Sequence, residues 1–558
     1  MFPPALIMIV GAMLIPVAPV RLRPALLILT PLLTLLMIWN LGDGLLLTAP
    51  FLNYEIALVE TSDVRRLFAT IFALMAMVSG LYMFRHARVV EMSASLAYAA
   101  GAVGVSFAGD LLSLYLFWEF MVLFSIIVVW SGGTEQARGA GIRYAIMLLI
   151  GGIILKIGIE GVYAQTGSHD IQALALDSVA TWMLLVGVLI HAAAPPVSAW
   201  LADANPSASP TGSVILSAFT TKTAVLALIM LFPGQQVLVW IGMYMIVYGI
   251  IYALLENDIR RMLAYAIVNQ VGFMVVGVGI GTELAINGVV AFAFAHIIFQ
   301  ALLLMSAGVV VIQTGKRNLR DLGGLYRSMP VTAICGTIGA LAMSAFPLTS
   351  GFVSGVMITE SAASGEPAWP RYGLLAGMAG VFLFVGLKFA WLVFFGKDEG
   401  LQAKDPAWNM QAAMIIFAAA CVLLGISPGL WYQFLPYEVP YASYTVSHLL
   451  TQLVMLLLAG AVFFVCMSWL RRLSIRVIDT DFIYRRAGVQ MWRSFVRLLV
   501  ILSGVLHTRV LDPGKRLPQL WIRYHGPEGP LARTWPTGSM LLWVAVMLVV
   551  ILIGARLL

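Results

Sequence analysis

Val214-Ile-Leu-Ser-Ala-Phe-Thr-Thr-Lys-Thr-Ala-Val-Leu-Ala-Leu-Ile229 reads as part of a membrane-spanning helix with Lys222 in its middle. A charged side chain at mid-membrane depth costs at least about 2.5–3.5 kcal/mol on insertion scales. Chains rarely carry that cost without a use for it. Glu119, His191 and His296 stand in similarly apolar surroundings. Together the four suggest a path for protons or cations rather than an anchor.

The rest of the chain agrees with a membrane solvent. Of 558 residues, 61% are hydrophobic and 11% are charged. Soluble domains carry about 25% charged residues. The expected fold class is therefore all-α, a polytopic membrane protein. Met1–Val20 is apolar, has no basic start and contains Pro3, Pro4 and Pro16, so it reads as a first spanning helix rather than a leader. Cys335, Cys421 and Cys466 lie far apart in hydrophobic stretches, with no metal-ligand spacing and no disulfide framework. No metal and no cofactor are expected. A net charge of +7 raises the question of nucleic acid, but the basic excess lies in segments between spans, where topology accounts for it.

A span needs about 20 apolar residues. Such stretches fall near 3–20, 24–41, 66–85, 90–109, 111–131, 141–163, 179–200, 212–232, 236–255, 260–280, 285–313, 331–357, 373–396, 408–429, 446–470 and 538–556. Alternating the loops between sides puts 26 of the 33 Lys and Arg residues on one side. The other side holds only Arg65, Arg66, Arg371 and Arg556, while Lys156, Lys222 and Lys388 lie inside spans. The positive-inside rule makes the basic side cytoplasmic and both termini external. The multi-pass chain is placed in a cell inner (plasma) membrane.

The chain divides into N-terminal helices (1–89), two repeats (90–232 and 233–397), C-terminal core helices (398–470), a basic segment (471–537) and a final helix (538–558). In the basic segment, 479–498 mixes Arg with Trp, Phe and Leu. It reads as an amphipathic helix on the cytoplasmic lipid surface, with a solvated basic linker as the alternative.

Two spans carry breaks, at Ala192-Ala-Ala-Pro-Pro196 and at Ala345-Phe-Pro-Leu-Thr-Ser-Gly351. Proline removes a backbone hydrogen bond, and the freed carbonyls must face protein or water. A pair of interrupted helices in two halves signals an inverted-repeat transporter, here with five helices per repeat; ordinary proline kinks are the plainer reading.

Each intramembrane polar residue has two readings. Glu119 is a proton-carrying carboxyl or a structural partner of a cation. His191 lies one turn before Pro195-Pro196, where a helix break admits water to an imidazole, or it packs against a carbonyl. Lys222 either exchanges a proton or forms a permanent pair with Glu119. His296 is the second candidate imidazole. Lys156 and Glu160 are spaced i, i+4 and read as a structural salt bridge. Lys388 is a site candidate or a side chain that snorkels to the interface.

Five stretches resemble the antiporter-like subunits of Mrp-type sodium/proton antiporters and of respiratory complex I, the D-type Mrp subunits most of all. They are Asp110–Glu119, His191–Ala204, Thr220–Ala224, Glu256–Tyr265 and Phe346–Phe352. The resemblance covers roughly residues 60–430. It implies about 16 transmembrane helices with a fourteen-helix core, two inverted half-channels and a mid-membrane row of charges. In that pattern Glu119 matches the acidic residue of the fifth helix. His191 falls on the lysine of the broken seventh, and Lys222 matches the lysine of the eighth. The second half departs from it. Arg260 stands at the basic position of an Asp-Ile-Lys motif, and arginine does not deprotonate in proteins. His296 is kept, but Gln300 and Gly355 stand where lysines are common.

The expected function is a proton-translocating subunit of a multi-subunit Mrp-like monovalent cation/proton antiporter, a secondary transporter rather than an enzyme by itself. Its candidate relay residues are Glu119, His191, Lys222, His296, Arg260 and Lys388. Its expected partners are the other subunits of an Mrp-like or complex I-like complex, protons, monovalent cations and lipid, with no nucleic acid. Two alternatives stand beside it. One is a proton-pumping subunit of a complex I-like quinone oxidoreductase or membrane-bound hydrogenase, its redox centres on a partner. The other is a non-transporting assembly subunit with a degenerate exit channel. No Gly-x-x-x-x-Gly-Lys-Ser/Thr loop points to a nucleotide-driven pump.

Overall fold

A computed structural model describes residues 2–51, 53–363, 368–438, 440–472, 479, 482, 490, 493–494, 496–497, 517–526 and 537–557. It divides into two units, Met1–Asp481 and Phe482–Leu558. The first unit opens with α1 (Pro4–Val17) and α2 (Arg23–Trp39), a hairpin of β1 (Gly44–Phe51) and β2 (Tyr54–Thr61), and α3 (Asp63–Met83). Next come α4 (Val89–Phe107), α5 (Leu111–Trp130), α6 (Glu135–Thr166), α7 (Val179–His191), α8 (Ala199–Ser207), α9 (Pro210–Leu216) and α10 (Thr220–Leu231). A second series follows: α11 (Gln236–Leu255), α12 (Ile259–Ile280), α13 (Glu283–Thr314), α14 (Pro330–Met343), α15 (Ser350–Ser361) and α16 (Trp369–Val381). Beyond α16 the helix continues as π-helical turns over Phe382–Phe389 and Trp391–Phe395. The unit closes with α17 (Trp408–Ile426), α18 (Gly429–Tyr432) and α19 (Val446–Arg472).

Among the described residues, 11 helices are long and apolar enough to cross a membrane. Shorter apolar helices at Pro4–Val17, Arg23–Trp39, Val179–His191, Pro330–Met343 and Ser539–Val550 occupy the other expected spans. The chain is a multi-pass, mainly α-helical membrane protein. The span of α9 and α10, together with α12 and α13, is almost wholly enclosed, whereas α6 turns Ile142, Ile146, Leu149, Ile153 and Ile157 outward. That outward stripe follows the helical period and suits lipid contact. Lipid offers no hydrophobic drive for helix association, so close backbone packing carries it. Between α11 and α12, a Cβ at Gly242 would stand 2.6 Å from the Gly272 carbonyl oxygen. The second unit holds α20 (Leu517–His525) and α21 (Thr537–Leu557). Most of the expected amphipathic helix at 479–498 lies outside the described residues.

From α5 to α6 and from α12 to α13 the two series repeat one another at a constant spacing along the chain. Asp110 caps α5 by accepting from Leu112 N (2.8 Å) and Ser113 N (2.7 Å). Asp258 caps α12 in the same way, from Arg260 N (3.0 Å) and Arg261 N (3.2 Å). Helices α6 and α13 are both 32 residues long, with Thr134 and Thr282 at their starts and the left-handed glycines Gly167 and Gly315 at their ends. The bridge Asp110–Asp170 recurs as Asp258–Asn318.

Within the all-α fold stands a β-hairpin that was not expected from sequence. Asp110 accepts from Ala57 N, and Gly109 N donates to Ala57 O at 2.8 Å, so β2 docks on the start of α5. β1 leaves most of its residues exposed or half-exposed, so its sequence shows no alternation of a buried face.

Candidate functional site

Both expected helix breaks are present and share one backbone geometry. Ala193 and Ala345 have φ of 59° and 53°. Ala193 N donates to Ile190 O (3.2 Å) and Ala194 N to Leu189 O (3.0 Å). Ala345 N to Ala342 O (3.1 Å) and Phe346 N to Leu341 O (3.0 Å) repeat the pattern. Left-handed backbone is costly for a residue with a side chain and persists where the surroundings over-determine it.

His191 is the last residue of α7, fully buried at the first break. Its Nδ1 lies 2.8 Å from Gly187 O. A carbonyl only accepts, so Nδ1 carries the hydrogen and Nε2 presents its lone pair. Nε2 has no protein partner. The Trp118 ring meets the imidazole edge-on, with centroids 5.1 Å apart at 90°.

Glu119 follows Trp118 on α5 and is half-buried. Its Oε1 is shielded from solvent and has no protein partner. Two adjacent glycines of α6 make room for these groups. A Cβ at Gly151 would lie 2.7 Å from His191 Cε1, and one at Gly152 would collide with Glu119 Oε1. α5, α6 and α7 thus bring Glu119, Trp118 and His191 together.

Lys222 is fully buried, and its Nζ donates to Ser217 O at 2.7 Å. That carbonyl is available because the span is interrupted between α9 and α10, a third break not expected from the sequence. Tyr98 holds the restart of the helix, its hydroxyl 2.6 Å from Thr220 Oγ1 and 3.1 Å from Thr220 N. Among the described residues no ion pair joins Lys222 to Glu119 or to any other carboxylate. The Glu119–Lys222 pair considered from sequence is therefore not formed in this structure.

His296 is fully buried on α13, between Phe292 (6.5 Å) and Phe299 (5.2 Å). Neither ring nitrogen has a protein partner. Gln300, one turn on, donates from Nε2 to Leu263 O at 3.1 Å and leaves Oε1 without a protein partner. At Gly355 a Cβ would stand 2.8 Å from Met378 Cε, so methionine fills the space where the resemblance places a lysine.

The other two candidates sit at helix ends. Arg260 donates to Asn205 O (3.2 Å), Ala208 O (2.8 Å) and Ser209 O (3.0 Å), binding the end of α8 and the turn into α9. Lys388, 1% exposed in the π-helical stretch, donates to Leu254 O (2.7 Å) and Glu256 O (2.6 Å) at the end of α11. Lys156 and Glu160 pair with each other at 2.5 Å.

Gly151, Gly152, Tyr98 and the Ser217 carbonyl were not among the residues singled out from sequence. Nor was the bidentate Arg143–Asp203 pair (2.6 and 3.1 Å), which fixes α8 against α6. Asp203, the one acidic residue of α8, was the available signal.

Residues 108–383 match the family model described as NADH:quinone oxidoreductase/Mrp antiporter, TM. The chain is 28% identical over 362 residues to the A/B component of a probable K(+)/H(+) antiporter of Rhizobium meliloti, covering 60% of this chain and 36% of that protein. It is 27% identical over 351 residues to the D component of the Na(+)/H(+) antiporter of Alkalihalophilus pseudofirmus, covering 59% of this chain and 71% of that one. The chain thus spans about a third of the first relative's length. Its fold is similar to that of a chain in the Mrp complex from Dietzia sp. DQ12-45-1b, with TM-score 0.77 and 21% identity, covering 93% of this chain and 61% of that chain.

Proposed function

This chain is an antiporter-like membrane protein of the Mrp D type, and from that premise we propose that it is the proton-translocating subunit of a multi-subunit Mrp-like monovalent cation/proton antiporter. It works in a plasma membrane with its basic loops in the cytoplasm. The observation that carries the reading is a lysine at the centre of the bundle whose one described hydrogen bond goes to a carbonyl freed by a helix break. A lysine held by a dipole rather than by a carboxylate can lose its proton without stranding a buried negative charge.

The proton enters at the Glu119 carboxyl and passes by bound water to Nε2 of His191, whose lone pair is free to receive it. From there it reaches Lys222. His296, fully buried on α13, continues the row from the first half into the second. Lys388 and Arg260 flank this row at helix ends on the cytoplasmic side. Gly151 and Gly152 keep the first two carriers in place.

Lys222→Ala in the assembled complex is the test. Proton flux driven by a cation gradient across everted vesicles is expected to fall on the order of a hundredfold, at unchanged membrane levels. Unchanged flux would remove the relay. The family description also names NADH:quinone oxidoreductase, which keeps a redox-driven pump as the second reading. Co-purification in mild detergent separates the two: small antiporter subunits support the first, iron–sulfur subunits the second.

A further inference from the structure

The second repeat lacks the lysines of the resemblance, yet α12 carries a line of polar groups from its first turn into the bundle. Arg261, Tyr265 and Asn269 follow one another at four-residue spacing, on one face of the helix. Asn269 Nδ2 donates to Ile246 O at 2.9 Å, and its Oδ1 accepts from Gln270 Nε2 at 2.9 Å. Gln270 Oε1, Gln300 Oε1 and both nitrogens of His296 are buried without a protein partner. Buried polar atoms of this kind are ordinarily satisfied by water.

At the other end of the line, the Tyr265 hydroxyl donates to Asp479 Oδ2 at 2.5 Å, and Tyr248 donates to Oδ1. Tyr252 stacks on Tyr265 with centroids 5.2 Å apart and on Tyr248 at 4.3 Å. Asp479 is 3% exposed although it lies beyond α19, in the segment read from sequence as a surface helix or linker. A carboxylate brought from outside the repeat is seated on two phenols toward the end of the bundle that carries the basic loops.

We propose that the second repeat has its own proton route, from His296 along Gln270, Asn269 and Tyr265 to Asp479, and that Asp479 is the proton-exchanging group at its cytoplasmic end. The proposal rests on the reading of this chain as a proton carrier. Gln270, through its unpartnered Oε1, holds water between the imidazole and the Asn269–Tyr265 face of α12. Tyr265 gives its hydroxyl proton to the Asp479 carboxylate as a water on its inner side gives one to the phenol oxygen. The phenol is unchanged, the carboxylate becomes the acid, and the acid releases the proton to cytoplasmic water. Run in reverse, the same steps take a proton in. Uncharged groups thereby do what lysines at 300 and 355 would do in the resemblance.

The test uses the whole complex in everted vesicles, with Lys222→Ala, Asp479→Asn and Tyr265→Phe measured side by side. The amide of Asp479→Asn keeps oxygen and nitrogen atoms for the two phenols but cannot take up a proton. Asp479→Asn and Tyr265→Phe are each expected to lower proton flux on the order of a hundredfold at wild-type membrane levels. Wild-type flux in either, with Lys222→Ala silent, overturns the route. Wild-type flux in Lys222→Ala overturns the underlying reading instead. Should Asp479→Asn fail to reach the membrane, Tyr265→Phe decides alone, because it leaves Asp479 and its bond from Tyr248 in place.

Discussion

A titratable residue inside a membrane announces itself by cost, and that is why Glu119, His191, Lys222 and His296 were legible as letters. What holds them was not. The Lys222 acceptor is the Ser217 carbonyl, and a freed carbonyl has no letter of its own. Gly151 and Gly152 gave no signal because glycine is common in membrane helices. Their role is volumetric: the lack of a side chain at 152 is what admits the Glu119 carboxyl against α6. Gly152→Ala is therefore expected to displace that carboxyl and cut proton flux, with an overpacking cost of about 1–3 kcal/mol. Gly429→Ala, where an added Cβ meets nothing within 4 Å, is the control, expected within about 0.5 kcal/mol of wild type. Flux and thermal unfolding of the two variants check this. A Gly152→Ala chain with normal flux would mean that the Glu119 position is not tuned by α6.

At the scale of elements, helix content and two of the breaks followed from apolar length and proline, because both act locally on the backbone. The interruption at 217–219 contains no proline or glycine, and the π-helical turns after α16 have no composition signal, so both needed tertiary context. The hairpin at Gly44–Thr61 hid for the opposite reason, as its strands bury no continuous face. Arg260 also changes meaning at this scale. As a letter it stood at a relay position; in the fold its guanidinium reaches three carbonyls at the end of α8 and the turn into α9. One terminal guanidinium nitrogen faces all three, and the shorter lysine side chain does not carry its ammonium as far. Arg260→Lys separates the two roles. A helix-end clamp loses about 1–3 kcal/mol and unfolds at lower temperature in detergent, without gain of flux. A relay position given a lysine, which can deprotonate, would instead hold or raise flux at unchanged stability.

Across the whole molecule, sidedness was read only from where Lys and Arg fall. The contacts between loops group the same segments by an independent route. Asp110 bridges Asp170, Gln235 Nε2 donates to Leu174 O at 3.2 Å, and Asn287 Nδ2 donates to Tyr437 O at 2.7 Å, so these connections share one face. Asp258 bridges Asn318, and Thr332 Oγ1 donates to Asp405 at 2.8 Å, which gathers the connections of the opposite face. Arg260, Arg261, Lys316, Arg317, Arg320, Arg327, Lys397 and Lys404 all belong to that second group or its neighbours in sequence. On the positive-inside rule we propose that the Asp258 face is the cytoplasmic one. Gln172 and Lys316 are exposed on the two faces. In a Cys466→Ala background, with Cys335 and Cys421 buried, cysteine at 172 is expected to react with a membrane-impermeant maleimide on intact cells. Cysteine at 316 is expected to react only after the membrane is opened. The reverse pattern would turn the molecule over. The Glu119–His191 cluster and the Asp479 carboxylate would then exchange sides, and with them the direction in which the two half-routes can be joined.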